Sequence, residues 1–225
     1  MSRVRGGFRL GVVAALTLLA VALPDALQAQ DGATRSRSLF VGVAGARSTY
    51  NEVSPENEHS GWGGTATARY QRSKWAVEGE VSWRSLSPDS GEGESLTLMG
   101  GALFGRYDVW RTLAVEAGFD SRTFDPEFGA QDVGAATVGL RYETPLASLA
   151  TLWVRGAAIP WSSFNGGGEA GLGMALGLGV RAGPADARWR AVVSYDFQRI
   201  DRSVDDVDVP IQYEGLRIGI EIAAF

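Results

Sequence analysis

The 225-residue chain is 45% hydrophobic and 21% charged, carries a net charge of −5 and has no cysteine. This excludes a disulfide-stapled scaffold and argues against a nucleic-acid partner, which needs a basic face. Outside the N-terminal segment no apolar stretch approaches the roughly 20 residues of a membrane-spanning helix, so a helical membrane bundle is excluded as well.

Residues 1–29 read as an export signal. Arg3, Arg5 and Arg9 precede an apolar run at 10–23, followed by Pro24 and the ending Leu27, Gln28, Ala29. Basic, apolar and small-residue zones in that order mark a secretory signal, and the run is short for an anchor. Cleavage is expected after Ala29, with an uncleaved anchor as the alternative. A short lead-in at 30–37 and one domain at 38–225 follow. The 30 glycines, 7 Trp, 6 Tyr and 9 Phe of the chain suit strands better than helices.

From Ser38 onward, period-two alternation replaces the helical period. The first candidate strand, 38–49, leaves its face open, because Leu39, Val41 and Val43 compete with Phe40, Ala44 and Ala46. In the second, Trp62, Gly64, Ala66, Ala68 and Tyr70 oppose Thr65, Thr67, Arg69 and Gln71. The third sets Trp75, Val77, Gly79, Val81 and Trp83 against Glu78, Glu80, Ser82 and Arg84. At 95–108 the apolar phase slips near Gly100 and Gly101, which predicts a bulge. Leu113, Val115, Ala117 and Phe119 then oppose Glu116 and Asp120, and Ala136, Val138, Leu140 and Tyr142 oppose Thr137, Arg141 and Glu143. A less regular strand at 148–159 carries Arg155. Leu172, Met174, Leu176, Leu178 and Val180 oppose a glycine row and Arg181; Trp189, Val193, Tyr195 and Phe197 oppose Arg190, Ser194, Asp196 and Gln198. With 210–225, which holds Arg217, the count is ten strands; eight is the alternative.

The segments between strands alternate long and short. Long ones are expected at 50–61, 85–94, 121–132, 160–168 and 199–209, and short ones at 71–74, 109–111, 144–147 and 183–187. That rhythm is produced by an up-and-down barrel with tight turns on one rim and extended loops on the other. Ser54-Pro55, Asp125-Pro126 and Gly183-Pro184 supply turn chemistry in these connections.

Alternation alone does not distinguish a soluble barrel, which turns its apolar face inward, from a membrane barrel, which turns it outward. Aromatic placement does. Trp62 and Tyr70, Trp75 and Trp83, and Trp189 and Phe197 are pairs eight residues apart on one face, and Tyr142 ends another such face. Eight tilted residues span about 20 Å of height, close to the distance between the aromatic girdles of an outer-membrane barrel. The opposite face mixes Glu78, Glu80, Glu116, Glu143 and Asp196 with Arg69, Arg84, Arg141, Arg155, Arg181, Arg190 and Arg217, with no lysine among them. Guanidinium groups bridge several carboxylates in a narrow lumen, so this set reads as a lumen charge network.

On these residues the chain resembles the small bacterial outer-membrane β-barrel proteins, porin-like in pattern, over nearly all of 38–225. The resemblance implies a closed transmembrane barrel in the cell outer membrane, outer-membrane lipid around it and the barrel-assembly machinery as a partner. It assigns Phe225 as the terminal aromatic of the assembly signal. Leu216, Ile218, Ile220 and Ile222 run out of phase with Phe225, a departure from the family pattern.

Ten strands at the usual spacing and tilt give a backbone radius of about 10 Å, which inward Arg and Glu side chains largely fill. The glycine row at Gly171, Gly173, Gly177 and Gly179 is expected to make room for long side chains. The acidic connections, with Glu52, Glu56, Glu58, Asp89, Glu92, Glu94, Asp201, Asp205, Asp206 and Asp208, read as solvated loops; the last cluster lacks EF-hand spacing. The series at Gly171, Gly173 and Gly177 has neither the spacing nor the following helix of a nucleotide fingerprint. His59 is the only histidine and is expected exposed in the first long loop. No catalytic residue, metal or cofactor is assigned. The reading is a non-enzymatic barrel with a structural or surface-interaction role and at most narrow solute permeability. A rim hydrolase using His59 and a selective channel are the alternatives.

Overall fold

The computed structural model describes residues 37–53, 56–126, 132–147, 149–165, 167–183 and 187–224. The export segment, its cleavage point, Ser54, Pro55, Gly166, Pro184 and Phe225 lie outside the described residues.

Ten long antiparallel strands form a closed up-and-down barrel: β1 (Arg37–Val53), β2 (Glu56–Arg72), β3 (Trp75–Pro88), β4 (Leu96–Asp108), β5 (Leu113–Asp125), β6 (Val133–Ala147), β7 (Ala150–Phe164), β8 (Glu169–Ala182), β9 (Trp189–Val204) and β11 (Ile211–Ala223). Each pairs with its neighbour in sequence, and β11 closes the ring on β1 through pairs such as Val43 with Ile220. A two-residue strand, β10 (Val207–Asp208), extends the hairpin from β9. The turn between them carries Asp205 and Asp206 at φ 50° and 63°. Successive left-handed residues of this kind make the type I′ turn that matches strand twist, and Asp tolerates the conformation. Pro210, which has no N–H, separates β10 from β11.

Closure satisfies every strand edge, a condition for crossing lipid with strands. The exterior alternation follows the aromatic pairs. Trp62, Trp75, Trp83 and Trp189 all point outward, at 69%, 62%, 56% and 63% exposure. Tyr70, Tyr142 and Phe197 occupy the same outer face. Two further aromatic contacts complete the girdles: Trp75 packs on Tyr107 with ring centroids 4.6 Å apart, and Phe119 on Trp161 at 6.1 Å. Between the girdles the outward positions are small or aliphatic apart from Tyr195, among them Val43, Ala66, Val81, Leu103, Val115, Leu140, Val154, Leu176, Val193 and Ile220, and the charged outward residues Arg47 and Glu214 sit beside Trp62 and Phe197 of the girdles. A soluble barrel would bury this face. Here it is the surface.

Two open points of register are settled. In β1 the outward residues are Val41 and Val43, while Phe40, Gly42 and Ala46 face inward. The expected bulge at Gly100 and Gly101 is absent: β4 keeps continuous register with β3 and β5 from Leu98 to Arg106. The apparent slip arises because Leu96 and Leu98 are apolar yet inward. The irregularities lie elsewhere, opposite Ala136 to Val138 and Pro145 to Ala147 in β6 and between Ala170 and Gly173 in β8. At the first, Ile159 and Pro160 face one residue, which places a residue without an N–H where the ladder is broken.

The loop rhythm also needs correction. Most of 50–61 is strand, since β1 and β2 stay paired from Arg37 with Arg72 to Val53 with Glu56. Likewise 199–204 belongs to β9. The two rims differ in how far the strands run, more than in loop length. A tilted strand crosses a membrane in about 9–11 residues, and β1 has 17 and β9 has 16. The surplus projects on the rim opposite the termini, because the other rim turns within a few residues of Tyr70 and Trp75. Both described chain ends share that short rim, joined by the Ala224 N–H donating to the Leu39 carbonyl at 2.7 Å.

Candidate functional site

The inward faces create three zones along the axis. Nearest the short-turn rim is a charge network. Glu143 accepts from Arg141 at 2.7 Å, from Arg106 at 2.9 Å and from Arg181 at 3.3 Å. Arg141 and Arg155 share Glu116 at 3.6 and 3.3 Å. Arg155 continues to Asp196 at 3.6 Å, and Arg217 joins Asp196 to Glu80. On the other side Arg181 and Arg69 both reach Glu221, the latter at 3.0 Å. The result is one connected chain of ion pairs that draws on every barrel strand except β1. Arginine suits it because each planar fork holds two acceptors at once.

Of the residues singled out in the sequence, Arg69, Glu80, Glu116, Arg141, Glu143, Arg155, Arg181, Asp196 and Arg217 are joined in this network. Glu78 lines a lumen cavity that these residues surround. Arg190 stacks over Phe40 at 5.3 Å, beside Arg69 over the same ring at 4.5 Å. Sequence reasoning missed Arg106 and Glu221. Arg106 was hidden by the misread phase of β4, although its two-residue spacing from Phe104 and Asp108 gives the inward register. Glu221 is inward because the Leu216, Ile218, Ile220 and Ile222 row is outward, so the phase departure of the last strand is simply its lipid face.

The middle zone is a cavity of about 160 Å³. Arg84 forms its upper wall with 2% exposure. Its Nε donates to Ser48 Oγ at 3.0 Å, one Nη to Thr65 Oγ1 at 2.7 Å and the other to the carbonyls of Gly64 and Trp83. Arg84 therefore does not join the carboxylate network. Arg122, outside the expected strand, bonds Asp120 at 3.0 Å and stacks on Tyr213 at 4.5 Å. The glycine row works as a platform, but for the adjacent strand more than for the opposite wall. A Cβ at Gly179 would fall 2.6 Å from the Trp153 ring, and one at Gly177 3.1 Å from it.

Above the cavity the lumen turns apolar. Tyr50, Leu86, Leu96, Leu98, Phe124 and Ile211 form one buried cluster; Val133, Ala135, Ile159, Ala175 and Ile200 form another, and Phe164 packs on both. Leu86 and Ile159 are at 0% exposure. Side chains with no exposed surface leave no water-sized gap beside them, so this collar closes the axis at its level. An interior of charges alone was expected, and the collar corrects that. Its signal was present in inward-phase leucines at the projecting ends of β3 and β4.

His59 is in β2 rather than in a loop, and it is buried at 3% exposure, with Tyr50 as its cross-strand neighbour. The Tyr50 hydroxyl donates to Glu52 at 2.8 Å. The rim beyond is acidic and exposed at Glu58, Asp89, Glu92, Glu94, Asp201, Asp205, Asp206 and Asp208. Among the described residues no cluster of metal-ligating side chains occurs.

No protein-family model and no curated protein matches the chain. Solved structures similar to it include the translocator domain of autotransporter NalP from Neisseria meningitidis, with 15% identity and a TM-score of 0.47 over 94% of this chain and 97% of that one. The outer membrane protease OmpT from Escherichia coli is similar at 9% identity and TM-score 0.46, over 83% and 95%. Ail, the attachment invasion locus protein of Yersinia pestis, is similar at 11% identity and TM-score 0.40, over 83% and 97%.

Proposed function

We propose that this protein is a non-enzymatic barrel of the bacterial outer membrane, with a structural or surface-interaction role and at most narrow permeability to small solutes. The observation that carries this reading is an apolar exterior band, bounded by aromatic girdles, around a lumen whose axis is closed by buried side chains. The exterior requires lipid. The closed axis disfavours bulk diffusion, which leaves the projecting acidic rim as the part that meets the surroundings. Export through the N-terminal signal and insertion by the barrel-assembly machinery through a C-terminal strand ending in Phe225 belong to the same proposal.

The test is fractionation followed by electrophoresis with and without boiling. The protein is expected in the outer-membrane fraction and to migrate faster unboiled, because a closed barrel resists detergent until heated. Recovery from the periplasm as a soluble species contradicts the reading. Large discrete conductance steps in planar bilayers would replace it with a channel.

A further inference from the structure

Each of the four short turns on the rim that carries both described chain ends shows an exposed apolar side chain. Trp75 follows the first turn, Trp110 stands in the second at 70% exposure, Leu146 and Leu149 flank the third at 57%, and Trp189 follows the fourth. Beside these side chains lie four exposed cations: Arg72, Lys74, which is the only lysine of the chain, Arg111 and Arg188. None of the four forms an ion pair among the described residues, and Asp108, at the same end of β4, is held by Arg106 at 3.5 Å. Backbone bonds fix these groups around the ring. The Lys74 carbonyl accepts from the Asp108 N–H at 2.8 Å, that of Thr112 from Glu143 at 2.8 Å, that of Leu149 from Gly183 at 2.7 Å and that of Arg188 from Ala223 at 2.8 Å. The projecting rim has the opposite sign, with exposed acids such as Glu58, Asp89 and Asp208. Bare Trp and Leu at turn tips gain nothing from water, whereas the headgroup layer of a bilayer accepts an amphipathic ring with a cation beside it. Phosphate is the acceptor in that layer, and it matches arginine and lysine.

We propose that the short-turn rim is a binding belt for anionic glycerophospholipids. Arg72, Lys74, Arg111 and Arg188 hold the lipid phosphates, while Trp110, Leu146 and Leu149 sit among the headgroups. The inference rests on the membrane reading above. Tight turns of such barrels face the periplasm, so the leaflet that this belt meets is the phospholipid one. The acidic rim repels the same lipids, and the difference in sign confines them to one end of the barrel.

The experiment is electron spin resonance of phosphatidylglycerol or phosphatidylcholine, spin-labelled near the end of one acyl chain, in phosphatidylcholine vesicles that hold the refolded full barrel. Lipid in contact with the barrel gives a motionally restricted component. At low salt this component is expected to favour phosphatidylglycerol by about twofold or more, and the preference to shrink at high salt. In the combined variant Arg72→Gln, Lys74→Gln, Arg111→Gln and Arg188→Gln the two lipids are expected to be restricted equally. Arg47→Gln, on the outward face beside Trp62, is expected to keep the preference. Equal restriction of both lipids by the unaltered barrel overturns the proposal, and so does a preference that survives the combined variant or is lost in Arg47→Gln. If the combined variant does not fold, Lys74→Gln with Arg111→Gln takes its place and is expected to remove about half the preference. No restricted component with either lipid contradicts the membrane reading itself.

Discussion

Glu143 and Asp201 show how much the surroundings of a carboxylate decide. Glu143 serves three inward arginines, and Asp201 meets Arg199 at 3.0 Å on the exposed rim. Removing one partner of a buried network strands the others and costs about 3–5 kcal/mol, while an exposed pair contributes about 1 kcal/mol or less. Glu143→Gln is therefore expected to lower the stability of the folded barrel by roughly 3 kcal/mol in denaturant titration. Asp201→Asn should change it by less than about 1 kcal/mol. Equal effects would contradict the placement of the network. The inward arginines and glutamates of β2, β3, β5 and β6 were legible in the sequence because strict alternation exposes them. Arg122 and Glu221 were not. One lies past the predicted end of its strand, and the other sits in a strand judged by its phase against Phe225 instead of by its isoleucine row.

At the scale of elements, the strands divide into a lipid-spanning part and a projecting part with different inward chemistry. On the spanning part, Val81 and Leu140 face outward between the girdles. An arginine at mid-membrane on such a face costs about 2–4 kcal/mol, falling to about 0–1 near the interface. Val81→Arg should therefore destabilise the bilayer-inserted barrel far more than Ser85→Arg, two rows higher on the same outward face of β3. On the projecting part, the collar sets permeability. Leu86→Ala with Leu98→Ala removes the packing of two side chains at 0% and 2% exposure. Planar-bilayer conductance is expected to rise above that of the unaltered barrel. Unchanged conductance would place the barrier in the charge network instead. Strand ends were the least legible elements: turn residues such as Ser54 and Pro55 suggest a long loop, whereas pairing between β1 and β2 carries the ladder to Val53 and Glu56. Period-two polarity fades on projecting hairpins because water meets their outer face and the collar their inner one. Alternation of polar out and apolar in then reverses the lipid-facing pattern, as at Leu86 and Leu98, and reads as noise.

For the whole molecule, closure joins these features. Moderate hydrophobicity over the chain is the average of an apolar exterior, a charged lumen and an acidic rim, and composition alone conceals that partition. Strand number and the outward aromatic face were readable because lipid imposes them on every strand. The collar and cavity were not, because they depend on which inward residues meet across a ring that is built only when β11 pairs with β1. The central claim, that the face of Val43, Leu140, Leu178 and Ile220 meets lipid while that of Arg69 and Asp196 faces the lumen, has a direct test. The chain has no native cysteine, so single cysteines at Val43, Leu140, Leu178 and Ile220 can be spin-labelled in the barrel reconstituted into lipid vesicles. Relaxation by dissolved oxygen, which partitions into acyl chains, should be strong at all four positions, and relaxation by a water-soluble nickel chelate weak. Strong nickel relaxation with weak oxygen relaxation at those positions would contradict the account.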